Sequence, residues 1–173
     1  TSPELLYGCV ALFVSPSDPR YSHLIGAQVQ VPLYGFAIPV LADDRVEKEK
    51  GTGAVMCATY GDGADVAWCE DYHLPYKKMI TSDGRLEAGV PDIGGLPVEQ
   101  GRKKIAALLE EKGLLLKAEP IRHAVAVHER CGHAVEIIPS RQWYIDVLSQ
   151  KEKLLEAAEQ IRWYPPQMKK RYK

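Results

Sequence analysis

No uninterrupted apolar run in this 173-residue chain approaches the roughly 20 residues needed to cross a bilayer. No charged-then-apolar leader opens it either, so a soluble, cytoplasmic protein without a membrane partner is expected. Net charge is almost absent too: 22 basic against 23 acidic residues leave −1, which does not advertise a nucleic-acid binder. Cysteine is sparse, with Cys9, Cys57, Cys69 and Cys131 far apart and three of them in apolar runs where a free thiol packs as a small hydrophobe. That usage fits a reducing compartment. The chain also lacks an initial Met, and we expect a piece of a longer polypeptide.

Several catalytic signatures are missing. There is no Gly-x-Ser-x-Gly elbow, no His-Glu-x-x-His pair and no Gly-x-x-x-x-Gly-Lys phosphate loop. Gly51-Thr52-Gly53 and Gly61-Asp62-Gly63 each begin a dinucleotide pattern without its third glycine, which argues against a Rossmann cofactor. His123, His128, Cys131 and His133 offer zinc-type donors across a hairpin, yet without a Cys-x-x-Cys knuckle they read as polar residues on an open face, and no metal is expected. Nothing places a His beside Cys9 or Cys57, whose apolar neighbours mark them as inert core thiols.

What is present is the balance of one soluble domain spanning residues 1–173. The stretches "YGCVALFV", "AQVQVPL", "FAIPVLA" and "GAVMCAT" read as strands separated by turn material. The segments between them are too short for crossover helices, apart from "ADVAWCEDYH", whose Val66, Cys69 and Tyr72 are spaced to face inward. "PVEQGRKKIAALLEEKG" reads as a helix begun by Pro97 and stopped by Gly113. Beyond it strand character returns, with a hairpin tip at Cys131-Gly132, and Ser149 with Glu152 predicts a capping box for a last helix ended by "WYPP". The expected class is α+β: a mostly antiparallel, barrel-like sheet with a few peripheral helices.

The chemistry concentrates in residues 51–76, "GTGAVMCATYGDGADVAWCEDYHLPY". The bland account makes Asp62 an N-cap, Asp65 a dipole-opposing residue in the first turn, and Gly51 and Gly53 turn residues. A cap needs only one acid. The sharper account has a strand end and a helix N-terminus bringing amides, a hydroxyl (Thr52 or Thr59) and a carboxylate to one rim. Asp65 would hold an ammonium there, while amides and hydroxyls polarise a carbonyl or orient water. An aminoacyl ester is one such ligand.

These residues resemble a known family. "GTGAVMCATYGDGADVAW" is similar to the Gly-Thr-Gly-Ala-Val…Asp-x-x-Asp stretch of the editing domain (connective polypeptide 1) inserted in valyl-, isoleucyl- and leucyl-tRNA synthetases. "TSPELL" resembles its Thr-rich peptide, "VLADDRV" the approach to the motif, "EIIPSRQWYIDVL" its exit strand, and "WYPPQMKKRY" the return to the catalytic domain. The wording around "DVAWCEDYHLP" and "RWYPPQMKKRY" looks most like the valyl members of the archaeal kind.

The resemblance implies an aminoacyl-tRNA deacylase: hydrolysis of the ester joining a wrong amino acid to the 3′ CCA end of tRNA. For a valyl enzyme this is threonine on tRNA(Val). Valyl enzymes are the established example of an apolar pocket that cannot strongly refuse an isostere bearing an extra hydroxyl. By position, Asp65 matches the acid that grips the substrate's α-ammonium and Asp62 the acid associated with the threonine side chain. Thr1, with Ser2, falls in the peptide lining the ester and terminal adenosine, and Thr52 in the Gly51–Gly53 turn at the pocket rim, with Thr59 as a second hydroxyl. No cofactor is implied for the domain, since ATP and Mg would belong to a separate catalytic domain. The implied partners are tRNA and the remaining domains of a parent synthetase.

The chain departs from the pattern at several points. Ser2 stands where the family has Arg, Leu5 where some members have a second Thr, Met56 and Ala58 where some have Lys and Thr, and Lys50 where an aromatic often precedes Gly-Thr-Gly. Losing Arg and the aromatic removes two handles for a terminal nucleotide. An isoleucyl or leucyl domain, a non-catalytic module positioning the tRNA 3′ end, and a free-standing small-molecule binder are the alternatives. The basic end, Arg162, Lys169, Lys170, Arg171 and Lys173, reads as a solvated tail.

Overall fold

The computed structural model describes residues 2–119 and 124–172, so Thr1, His123 and Lys173 lie outside the described residues. The described chain falls into two compact units, Thr1–Pro139 and Ser140–Lys173. In the first, a 3-10 turn at Pro3–Gly8 leads into β1 (Cys9–Val14), followed by β2 (Gln28–Gln30), β3 (Ala37–Ala42) and β4 (Ala54–Ala58). Each occupies the centre of an apolar stretch anticipated above. Helices α1 (Gly63–Asp71) and α2 (Val98–Glu111) complete the unit.

The fold is α+β, but the sheet is not closed into a barrel. The strands are ordered β2-β3-β1-β4, and β1 pairs parallel with β3 while β1–β4 and β2–β3 are antiparallel. Two of the three pairings are antiparallel, as expected, and the parallel one needs no crossover helix because β2 lies within the connection and turns straight back onto β3. Closure fails because β2 has three residues, and Val127–Ala134 of the expected later strands forms only an isolated bridge at the Cys131-Gly132 hairpin tip.

Ala11 and Phe13 of β1 share one face, where they pack with Cys57, Trp68 and Cys69, and the register shift between Cys9 and Ala11 turns Cys9 to the other, against Val31 and Ile38. Phe13 stacks on Trp68 with ring centroids 4.4 Å apart, clamping α1 to the sheet. The inward face of α1 is therefore Asp65, Trp68 and Cys69; of the predicted Val66–Cys69–Tyr72 stripe, Cys69 is buried and Tyr72 meets Phe13 edge-on, while Val66 is only half-buried. The bulk of Trp68 decides that register. A second cluster joins Leu5, Ala58, Met79, Ile80, Leu86 and Ile105 of α2. At Gly101 the helix presses so closely on Leu86 that a Cβ would lie 2.2 Å from its Cδ1.

Glu4 ties this cluster to α2. Its carboxylate, 1% exposed, receives Nε and Nη2 of Arg102, with the shortest contact 2.6 Å.

The second unit holds α3 (Lys151–Gln160) and α4 (Met168–Tyr172). The predicted capping box is absent: the Ser149 hydroxyl donates back to Asp146 O at 3.3 Å, and Gln150 occupies the N-cap without a side-chain bond. The expected exit strand over 136–148 is irregular chain up to the 3-10 turn at Leu148–Gln150. Trp163 donates to Ala158 O at 2.8 Å, and Lys169 of the basic cluster pairs with Glu159 at 2.5 Å. No helix among the described residues is long and apolar enough to cross a membrane.

Candidate functional site

Asp62 sits at the N-cap of α1 in extended conformation, and its Oδ1 accepts from the amides of Ala64 (2.8 Å) and Asp65 (2.9 Å). Capping occupies it, as the bland account held. Asp65, one turn on, is free of that duty and is 93% enclosed. Its Oδ2 lies where a Cβ on Gly61 would come within 2.6 Å, so the absence of a side chain at 61 makes room for the carboxylate. Leu5 Cδ1 and Ala58 O crowd the same point at 3.1 Å.

Burial without a cation has a direct electrostatic consequence. Desolvation, reinforced by the charge of Asp62, raises the Asp65 pKa from 3.8 to about 7, and bonds from the Cys57 thiol and from the backbone of Ala58 and Asp62 offset this only in part. A carboxyl raised in this way by burial is of the kind that clusters at functional sites. No Lys or Arg is among the groups that set its pKa.

Thr59 is at the same end of β4. Its buried hydroxyl donates to Lys77 O at 2.8 Å, with Gly8 O a longer alternative at 3.3 Å, leaving its lone pairs as acceptors. Next to it lies a hollow of about 10 Å³, room for one water, lined by Leu5, Thr59, Tyr60, Tyr76, Met79 and neighbouring apolar side chains. Asp65 is buried and is not in its lining, so the carboxylate does not open onto this hollow.

The Gly51-Thr52-Gly53 turn lies at the other end of β4, roughly 17 Å away at ~3.4 Å per strand residue. Thr52 Oγ1 bonds only within its own turn, donating to Ala54 O at 3.2 Å, while Thr52 O receives the Tyr21 hydroxyl at 2.9 Å. Gly53 has φ +80°, and a Cβ there would meet Arg20 Nη2 at 2.5 Å. Arg20 is itself held by the buried Asp18. The structure thus brings Thr59, Gly61, Asp62 and Asp65 together and leaves Gly51, Thr52 and Gly53 apart. Ser2 is half-buried at the start of the 3-10 turn that carries Leu5, and its carbonyl accepts from Leu5 N.

Sequence reasoning singled out Leu5 as a departure within the Thr-rich peptide but missed Tyr76 and Met79 at the hollow. They approach Thr59 through tertiary packing, and no local spacing announces it. The inert-thiol expectation is met: Cys9 and Cys57 are buried, desolvation pushing Cys9 up to about 12 and Cys57 higher still. His128 Nδ1 stands 3.2 Å from the exposed Cys131 Sγ, and no group of three metal-capable side chains occurs among the described residues.

No protein-family profile matches the chain. It is 46% identical over 171 residues to a valine–tRNA ligase of Thermococcus kodakarensis, covering 97% of this chain and 19% of that one. It is 41% identical to a valine–tRNA ligase of Thermoplasma volcanium (98% and 22%) and 44% identical to one of Rickettsia rickettsii (98% and 21%). The chain therefore spans about a fifth of the length of the curated relatives it matches. Among solved structures it is similar to one titled the crystal structure of GlLeuRS-CP1, with TM-score 0.55 and 15% identity over 69% of this chain and 82% of that one, a likeness of fold.

Proposed function

Taking as premise that the chain belongs to the valine–tRNA ligase family, as a homologue of one segment of those enzymes, we propose that it is an editing domain hydrolysing mischarged tRNA, with Thr-tRNA(Val) as substrate. The observation that carries this reading is Asp65: a carboxylate whose burial raises its pKa to about 7, with no cation among the described residues shown to offset it. An α-ammonium placed against it would restore its ionised form and lower its pKa.

The chemistry asks little more of the protein. Water attacks the ester carbonyl carbon, the C–O bond to the terminal ribose breaks, and the released hydroxyl takes the proton that water gives up. Positioning supplies much of such a rate. Thr59, with acceptor lone pairs beside a hollow of one-water size, suits the orientation of that nucleophile. In this reading Asp62 sets the helix start that places Asp65, and Thr1 and Ser2 flank the ester. The Gly51–Gly53 turn is given no contact with the aminoacyl group. A parent synthetase and its tRNA are the partners, with ATP and Mg confined to a catalytic part outside this chain.

One observation favours a second reading. The hollow is smaller than a threonyl group, as expected of a segment that positions the tRNA 3′ end without hydrolysing it. Release of threonine from Thr-tRNA(Val) and of valine from Val-tRNA(Val) by the purified chain separates the two. Editing requires threonine release well above the spontaneous rate, and valine release near it. Equal background rates for both esters leave only the positioning role.

A further inference from the structure

Two thiols that the hydrolytic chemistry leaves unused face one another beside Asp65. Cys57 of β4 and Cys69 of α1 are 12 residues apart in sequence and both buried, with their Sγ atoms 3.9 Å apart. The Cys57 thiol also lies 4.0 Å from Asp65 O, and it is one of the donors that favour the ionised Asp65 carboxylate. The contact therefore joins the strand that ends at Thr59 to the helix that carries Asp65 one turn before Cys69.

Burial raises the pKa of both thiols, chiefly by desolvation, so each by itself is a poor nucleophile. Proximity changes this for the pair. Cys69 is the more exposed, at 7% against 0%, and meets an incoming reagent first. Cys57 then reaches the modified sulfur without a second reagent entering the core, so the second step is intramolecular.

We propose that Cys57 and Cys69 form a reversible dithiol–disulfide switch that locks α1 onto β4 under oxidising conditions. With a small disulfide R–S–S–R as oxidant, the Cys69 sulfur attacks one reagent sulfur, the reagent S–S bond breaks, and R–SH leaves with the Cys69 proton. The Cys57 sulfur then attacks Cys69 Sγ, and a second R–SH leaves with the Cys57 proton as the new S–S bond closes. The cysteine pair loses two electrons, and the reagent is reduced to two thiols. In a reducing compartment such bonds are transient and serve as sensors, not as permanent staples. The consequence for hydrolysis rests on the editing reading: Asp65 loses the Cys57 donor, its ionised form is disfavoured, and an ammonium is held less well.

The test treats a Cys131→Ser protein, freed of the exposed thiol, with hydroxyethyl disulfide, alkylates the remaining thiols in denaturant and digests with trypsin. One tryptic peptide, 51–77, carries Cys57 and Cys69 and no other cysteine. It should emerge lighter by two hydrogens with neither thiol alkylated, and dithiothreitol should restore both. Adding Cys69→Ala should leave Cys57 alkylated after the same treatment, with matching thermal unfolding curves to verify folding. Threonine release from Thr-tRNA(Val) at pH 7 should fall about 5-fold on oxidation, the worth of one hydrogen bond, and recover with dithiothreitol. In Cys69→Ala it should not respond to the reagent. Two alkylated thiols in the treated peptide, or a reagent adduct on Cys69 that goes no further, overturns the proposal. A cross-linked peptide with unchanged threonine release also overturns the switch while leaving the editing reading in place; a cross-link in a protein that releases no threonine even when reduced supports the lock and sinks hydrolysis.

Discussion

Gly61 and the Asp65 carboxylate occupy what would be one another's space: a Cβ at 61 would lie 2.6 Å from Asp65 Oδ2, closer than such contacts allow. The glycine's φ is not left-handed, so its value is spatial and not conformational. Gly61→Ala is expected to displace Asp65 or Leu5 and cost about 1–3 kcal/mol, the usual range for overpacking. Urea unfolding measures the cost, and threonine release should fall with it.

Asp62 and Asp65 separate by duty. Asp62→Ala removes two hydrogen bonds to the first turn of α1 and should cost about 1 kcal/mol, whereas Asp62→Asn retains an acceptor and should cost a few tenths. Denaturation midpoints of the two variants check this ranking. Equal losses would deny the cap.

Asp65 makes stability depend on pH. With its pKa raised from 3.8 to about 7, the folded chain keeps a proton that the unfolded chain has already released between these values. Stability from this group is therefore lost as pH rises from about 4 to about 7 and is constant above, by at most about 4 kcal/mol. Asp65→Asn removes the dependence. The variant should be more stable than wild type at pH 8 and indistinguishable near pH 3 in urea titrations across that range. Groups held below the usual carboxylate range, such as Asp43 beside Arg45, titrate alike in both proteins and cancel in the difference.

Arg102 closes the charge on Glu4, which is otherwise sealed in the cluster around Leu86. Arg102→Ala strands that carboxylate and should cost about 3 kcal/mol, while the double variant Glu4→Gln/Arg102→Ala should recover part of it. A thermodynamic cycle from chemical unfolding reads the coupling.

Local pattern carried the sequence reading wherever a segment's neighbours decide its state. Strands β1–β4 fall on runs rich in Val, Ile and Leu, and α2 fills the stretch between Pro97 and Gly113. It failed where distant residues decide. Barrel closure depends on pairing between remote segments, and the inward face of α1 is set by Trp68 meeting Phe13 of β1. Ser149 looked like half of a capping box but bonds to Asp146, an alternative its short side chain always offers. The candidate site was half legible. The Asp62/Asp65 division follows from helix-start chemistry, and of the two hydroxyls weighed, Thr59 shares the Asp65 end of β4 while Thr52 lies at the other end of that strand. Tyr76 and Met79 were out of reach for the same reason as the barrel.

The account stands on the ionised side chain of Asp65 receiving an ammonium group. The most direct measurement is the rate of threonine release from Thr-tRNA(Val) at pH 8 by wild type, Asp65→Asn and Asp62→Asn. Loss of the charged partner should slow Asp65→Asn by about 100-fold, the scale of a charge-assisted hydrogen bond, and leave Asp62→Asn within a few-fold of wild type. Wild-type rates from a folded Asp65→Asn protein would contradict the account outright.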